Sequence, residues 1–515
     1  MARRRVCAVL VALSMVPALA WAAPQGKVII AQGVDPTTLD VMNQQETPAS
    51  VIGGHIFEGL VERDQNLKIV PALATEMPRL VAPTIWEVKL RKGVKFHNGE
   101  EFNADSVKFS LERVKSSGMR ASSNFQPIDR VEIVDPSTVR VHTSKPWPTF
   151  ITIMTFNQPA MYPPKAYAGK DSAFISKNPI GTGPYKFVRW SKDEEIVLEA
   201  NAQYWRGAPK IKTVVFKPIP DDAVRVAALQ NGEIDVAVNI PPHLAAVIDK
   251  HPRLFLSTAP SIRTLQLMFV THEYDAQHKP VGPYKGPTVD KRVRQAIAYA
   301  IDADEIVKNV LDGKAMRTAT MLTPLHFGYD PQLKPIKQDL AKAKKLLAEA
   351  GFASGLEITL NSPQGRYVRD KEVAEAVAGQ LTKAGIKTTL KTHEFVSYLN
   401  TLVYTHRPGP VWLIGWGTPT IDAETVYGPL FRTGSNLGNY HNPDFDGMVD
   451  QAKTQMDEKK RLEIYHRINR LWIEEMPAVP LYQQLDLYGA NKRLNWKARS
   501  DERIKAYDMS LKDAK

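Results

Sequence analysis

Cysteine is nearly missing: the 515 residues hold one, Cys7, and it lies inside an N-terminal apolar run. Once that run is removed the chain has no thiol, which excludes disulfide frameworks, thiolate metal sites and cysteine nucleophiles. Also missing is any long Lys/Arg block with interleaved aromatics, so the formal net charge of +12 is dispersed and leaves no nucleic-acid footprint. Long apolar runs are missing too. Val6 to Leu19, interrupted only by Ser14 and Pro17, falls short of the roughly 20 residues a membrane helix requires.

Catalytic signatures are equally scarce. Gly181-Thr-Gly183-Pro-Tyr-Lys lacks the third glycine of a dinucleotide loop, and Gly313-Lys314 is followed by Ala315 where a phosphate loop needs a hydroxyl. His393-Glu394 runs into Phe395-Val396-Ser397, so the second histidine of a zinc helix is absent, and no Gly-x-Ser-x-Gly elbow occurs. The 12 histidines are scattered and read as isolated residues. No enzyme, no cofactor and no metal site is expected.

What is present begins with a basic head, Arg3 to Arg5, ahead of the apolar run, and a small-x-small site at Ala18-Leu19-Ala20 or Ala20-Trp21-Ala22. Residues 1–22 therefore read as a secretory signal peptide. Cys7 sits early in that run rather than after a small residue at its end, so no lipid attachment is expected and the mature protein is free. Its composition, 43% hydrophobic and 24% charged, is that of a globular chain, and its length calls for two or three domains.

The first half reads as strands and short turns. Trp86, Val88 and Leu90 alternate with polar residues, and Asp135-Pro136-Ser137-Thr138 joins two alternating runs as a hairpin. Strands are also predicted at 195–201 and 213–219, and a helix after Asn103-Ala104-Asp105. From about residue 290 helices and strands alternate. Val293 through Leu311 keeps one helical spacing as far as Gly313, and Asp339 caps a helix that buries Leu340, Ala343, Leu347 and Ala350 before Gly351. Strands follow at 356–360, 386–390 and 411–414, the last feeding a turn at Gly415-Trp416-Gly417. A long helix over 457–476 stops at Pro477, and a strand returns over 479–487. This order implies a sheet covered by helices, with ligands at strand ends.

Several blocks carry a resemblance. Ile56-Phe-Glu-Gly-Leu-Val61, Val88-Lys-Leu-Arg-Lys-Gly-Val-Lys-Phe-His97, Phe102-Asn-Ala-Asp-Ser-Val107, Gly181-Thr-Gly-Pro-Tyr185, Asn231-Gly-Glu-Ile-Asp235 and Val293-Arg-Gln-Ala-Ile-Ala-Tyr-Ala-Ile-Asp302 occur in order. Together they resemble the family 5 extracellular solute-binding proteins, which include peptide- and nickel-binding components of ABC importers. The resemblance implies an α/β, two-lobed periplasmic binding protein-like fold (class C, type II), with mixed sheets, flanking helices and an enlarged first lobe. It implies a first lobe from 23–262 and 481–515, with an extra subdomain around 60–180, and a second lobe from 263–480. A periplasmic monomer would capture a small organic solute, peptide-like or otherwise carboxylate-bearing, and deliver it to an inner-membrane permease. A nickel or metallophore receptor is the first alternative, and a secreted hydrolase the second.

The same resemblance orders the candidate site. Trp416 would wall the cleft or plug the core between lobes. Arg366 and Tyr367 lie on a loop between a strand and a helix, where a guanidinium and a phenol near a helix N-terminus favour an anion; in dipeptide-binding members this loop supplies an arginine for the substrate carboxylate. Arg263 is either a second anion contact or half of a hinge salt bridge. Thr47 and Pro48 would line the site from the first loop, and Asn439 and Tyr440 would touch the solute or cap a turn. Peptide binders carry an acidic residue for the substrate ammonium where this chain has Pro419, so Asp422 or Glu424 would have to replace it.

Overall fold

The protein is described from a computed structural model covering residues 23–116, 118–418, 420–435 and 437–512. The expected leader and Pro419 lie outside the described residues.

One sheet of eleven strands runs through the molecule. From one edge the order is Ile386–Glu394, Leu356–Gln364, Val411–Gly417, Leu254–Phe269, Ala478–Asn491, Val236–Ala237, Gln25–Gln32, Ile211–Pro218, Glu195–Ala200 and Tyr185–Ser191, with Ala315–Met316 beside Ala478–Asn491. Leu254–Phe269 and Ala478–Asn491 are the longest strands, and they pair antiparallel in two stretches. Leu254 to Pro260 faces Leu485 to Asn491, Thr264 to Met268 faces Ala478 to Gln483, and the register slips between Pro260 and Thr264. A slip in a paired ladder bends both strands and frees a few residues from regular pairing.

The buried cores divide at this slip. Two apolar clusters draw on residues up to Ala259 and from Leu487 onwards; the other two, Val34 aside, draw on residues 265–482. Two separately packed halves are thus joined by two strands. A four-stranded sheet, Arg79–Ala82, Ile85–Lys89, Thr138–Thr143 and Ile128–Asp135, enlarges the first half. It carries the hairpin read from the sequence and the helix Ala104–Val114, capped by the Asn103 side chain.

Three expectations change. The helical spacing from Val293 to Leu311 is two helices, Lys291–Ala300 and Ala303–Asn309, because Asp302 turns its carboxylate onto the Glu305 amide and starts a new helix. Leu340 is 37% exposed, one turn off the buried face of Leu340–Glu349. Gly415-Trp416-Gly417 is no turn: the strand continues through Gly417, opposite Arg263 to Leu265.

The candidate solute site in the cleft

Arg263 lies at the register slip, and the two glycines opposite it make room for its side chain. A methyl group on Gly415 would stand 2.6 Å from Tyr367 Cε1 and 3.0 Å from Arg263 Cδ, and one on Gly417 would stand 3.1 Å from Arg263 Cα. Close approach, rather than a turn, explains both glycines. We expect Gly415→Ala to destabilise the protein by about 1–3 kcal/mol, the usual cost of overpacking, seen as a lowered melting temperature. An unchanged melt would mean that the strand shifts freely here.

With that space the Arg263 guanidinium clamps Glu502. Nε donates to Oε1 at 2.5 Å and Nη2 to Oε2 at 2.6 Å, while Nη1 reaches Gly415 O at 2.8 Å and Nη2 also reaches Thr47 Oγ1 at 2.7 Å. Ser261 adds a hydroxyl to Glu502 Oε1 at 2.9 Å. Burial works against the Glu502 charge, but the Arg263 charge and its hydrogen bonds outweigh that and hold the carboxyl down at about 2. Thr47 opens the helix Thr47–Ile56 rather than lying on a loop, and Glu46 caps it through the Ala49 amide.

Arg366 and Tyr367 occupy the loop between Leu356–Gln364 and Asp370–Lys383. Asp370 fixes the loop by accepting the amides of Gly365, Arg366 and Tyr367 at 3.0, 2.9 and 3.0 Å. The Tyr367 hydroxyl donates to Gly415 O at 3.1 Å. The Arg366 guanidinium sits 4.9 Å from the Tyr367 ring centroid and 5.6 Å from that of Phe395. Its nearest carboxylate oxygen is Glu502 Oε2 at 3.8 Å, beyond hydrogen-bond reach, and Nε is buried without a partner. Burial, and then the Arg263 charge, push the Arg366 pKa down.

Two cavities flank these residues. One, of about 30 Å³, is lined by Thr47, Val51, Arg366, Asp486 and Glu502; the next, of about 60 Å³, by Thr47, Arg263, Trp416, Thr418, Glu502 and Arg503. Trp416 is half-buried at its wall, held by its Nε1 on Thr425 O at 3.0 Å. Organic ligands occupy pockets of about 300–1,000 Å³, so neither space as it stands accommodates one. Contacts across the cleft include Asn239 Nδ2 on Arg366 O at 2.9 Å, Arg120 Nη2 on Asn400 Oδ1 at 3.0 Å, and the Thr149 hydroxyl on Glu424.

The structure thus gathers Thr47, Arg263, Arg366 and Trp416 about one cleft, while Tyr367 is buried behind Arg366 and lines neither cavity. Asp422, Asn439 and Tyr440 line neither cavity. Asp422 is consumed by Arg461, whose Nη1 and Nη2 reach its oxygens at 2.9 and 2.6 Å, so its charge is spent within the second half. Asn439 Nδ2 ties His272 O to His406 O at 3.3 and 3.2 Å, and the Tyr440 ring packs against Phe445 at 5.8 Å. Sequence reading missed Glu502, Asp486 and Asp370. The only trace of Glu502 was the charged run Arg499 to Arg503, which reads like any solvated tail.

The family described as bacterial extracellular solute-binding proteins, family 5 Middle, matches residues 68–438. The glutathione-binding protein GsiB of Pectobacterium atrosepticum is 30% identical over 487 residues, covering 92% of this chain and 91% of that protein. This chain belongs to the family 5 solute-binding proteins. Among solved structures, the ABC transporter-associated periplasmic binding protein DppA from Helicobacter pylori, in complex with the peptide STSA, matches with a TM-score of 0.86 at 25% identity, covering 94% and 98% of the two chains. NikZ from Campylobacter jejuni, in complex with Ni(L-His), matches with a TM-score of 0.83 at 26% identity, covering 94% and 99%. The family 5 chain accordingly has the two-lobed type II periplasmic binding protein fold, and it is a solute-binding component of an ABC importer. Its relatives are receptors rather than enzymes.

Proposed function

We propose that this receptor captures a peptide-like solute through a carboxylate, closing residues 263–480 onto residues 23–262 and 481–515. The observation that carries the reading is the Arg366 side chain: a guanidinium with 8% exposure, on the cleft wall, its Nε unpartnered and its nearest carboxylate oxygen among the described residues 3.8 Å away. A buried cation in that condition is costly unless an anion completes it, and a carboxylate completes a guanidinium with two parallel bonds. Arg263 is already neutralised by Glu502, so it serves as the hinge pair and Arg366 as the anion contact. Trp416 supplies an aromatic wall, Tyr367 backs the Arg366 guanidinium from behind, and Thr47 brings a hydroxyl at the mouth of the first-lobe helix.

Closure follows by population shift. A solute that binds the closed form better moves the balance, and going from 1:99 to 99:1 takes about 5.5 kcal/mol of differential affinity. The importer would read the closed form. The chain would act in the periplasm as a monomer after loss of residues 1–22, without nucleic acid or catalysis. The glutathione- and peptide-binding relatives support a peptide-like solute. With Asp422 paired to Arg461, a substrate ammonium must find another acid or remain in solvent.

Mass spectrometry of the small molecule that co-purifies with the protein tests the reading, followed by calorimetric titration with it, with glutathione and with nickel–histidine. A carboxylate-bearing organic solute is the expected result. A carboxylate-free solute would remove Arg366 from its assigned role, and binding that requires nickel would replace this reading with the metallophore one.

A further inference from the structure

We propose that Asp486 stands protonated beside the solute carboxylate and donates its hydrogen to it, taking that proton from solvent as the two halves close. This rests on Arg366 holding the carboxylate.

The cavity of about 30 Å³ has an acid and a base on its wall, and neither is complete. Arg366 Nε has no partner among the described residues, and neither has Asp486 Oδ2. Asp486 is 2% exposed, and only its Oδ1 is met, by Gln484 Nε2 at 2.6 Å. The two do not complete each other, since the carboxylate that Arg366 comes nearest is Glu502 at 3.8 Å.

Charge decides the form of Asp486. Arg263 and Arg366 are the cations that act on Asp486 and Glu502, and Glu502 already answers Arg263. A solute carboxylate answers Arg366. An ionised Asp486 would set a third negative charge against two guanidiniums, whereas the neutral acid leaves two against two and offers a hydrogen to the solute oxygen. The neighbours bring no further cation. Ser261 lies against both carboxyls and gives its hydroxyl to Glu502 Oε1 at 2.9 Å, Gln484 is neutral, and burial keeps the Tyr488 phenol protonated. Glu46 accepts the Thr37 and Ala49 amides at 2.9 and 3.2 Å at the positive end of the helix Thr47–Ile56, which meets its charge. Arg225, behind Gly33, is spent on Asp222 and on the carbonyls of Ile219 and Val238 at 2.6 and 2.9 Å. Burial, and then the Glu502 charge, push the Asp486 carboxyl well above its ordinary 3.8, the usual fate of one of two carboxyls that share a site.

The second half supplies the roof of this cavity. Among the described residues that line it, Arg366 alone comes from 263–480. Its loop sits tightly in place: a methyl group on Gly33 would stand 2.0 Å from Gly365 O, and Asn239 Nδ2 donates to Arg366 O at 2.9 Å. With the loop lifted, water reaches Asp486 and the carboxyl ionises as an exposed one does. With the loop down, the carboxyl is dry and beside Glu502, and it binds a proton. The closed form holds one more proton than the open one. Capture therefore has its full strength below the ordinary 3.8 and weakens as pH rises above it, until the raised value is passed.

The test is calorimetric titration of the full-length mature protein with glutathione at pH 6, 7 and 8, each in two buffers of different ionisation heat, which counts the protons exchanged. Wild-type affinity is expected to fall about tenfold per pH unit, with an uptake of about one proton. Asp486→Asn, which donates from Nδ2 but does not titrate, should lower the uptake by about one proton and flatten the profile. Asp486→Ser repeats the measurement should that variant fail to fold. A wild type that takes up no proton, or an uptake that persists in the variants, overturns the role of Asp486. Arg366→Gln judges the underlying reading separately: unchanged affinity removes the carboxylate from Arg366, while the proton count still decides Asp486. Should glutathione not bind, small-angle scattering of the ligand-free protein decides. A wild type that becomes more compact from pH 8 to pH 5, beside an Asp486→Asn variant compact throughout, supports the linkage; a size that ignores pH, or responds equally in the variant, overturns it.

Discussion

Arg263→Met unfolds the receptor with about 3–5 kcal/mol less effort at pH 7, the usual consequence of removing one partner of a buried ion pair. Arg263 and Glu502 have side-chain exposures of 5% and 8%, and they are joined by two short bonds. Methionine fills much of the same volume but leaves Glu502 with Ser261 and, at 3.8 Å, Arg366. Chemical denaturation across pH gives the signature. In the wild type the folded Glu502 carboxyl titrates at about 2, below its ordinary 4.5. Its contribution is therefore complete above about 4.5 and lost as pH falls through 2. In the variant burial acts on Glu502 with little opposition, so its folded pKa rises and the carboxyl destabilises the fold as pH climbs. The gap between the two proteins must narrow on acidification. A gap that stays constant from pH 7 to pH 3 would show that Glu502 is not what Arg263 holds.

Arg366→Gln gives the opposite pattern: about 100-fold weaker binding of the carboxylate-bearing solute, with a melting temperature that holds or rises. A bidentate guanidinium–carboxylate contact in a desolvated site costs about 2–5 kcal/mol when one side is truncated, which brackets that factor. The fold loses less, because the Arg366 Nε has no partner, its nearest carboxylate is 3.8 Å away, and the like charge of Arg263 opposes what the Tyr367 and Phe395 rings supply. Read as an exposed loop residue, Arg366 would leave stability unmoved simply because surface substitutions do so. Its burial changes the reason, and it adds the possibility of a gain. Titration calorimetry and a thermal melt on one preparation decide the matter; a large drop in melting temperature together with unchanged affinity would make Arg366 a structural residue.

Elements whose periodicity is local were legible from the sequence. The helix Leu340–Glu349 has Asp339 as its cap and Ala343 and Leu347 on its buried face, and the return strand Ala478–Asn491 follows a proline that ends the preceding helix. Those features depend on neighbours a few residues apart. The break at Ile301-Asp302 was not legible, since the spacing of Val293 to Leu311 is helical with or without an interruption. Nor was the role of Gly415 and Gly417, because a glycine that makes room for a side chain and one that makes a turn look alike until the chain opposite is known.

The amino-acid order by itself determined the family and the two-lobed fold that goes with it, since both are carried by short blocks read in sequence. Only the tertiary structure decided which charges are free. Arg263 and Glu502 are 239 residues apart, and Asp422 and Arg461 are 39 apart. Whether a buried charge is neutralised within the protein or left for a ligand depends on which distant side chain arrives within about 3 Å, and no local pattern encodes that distance.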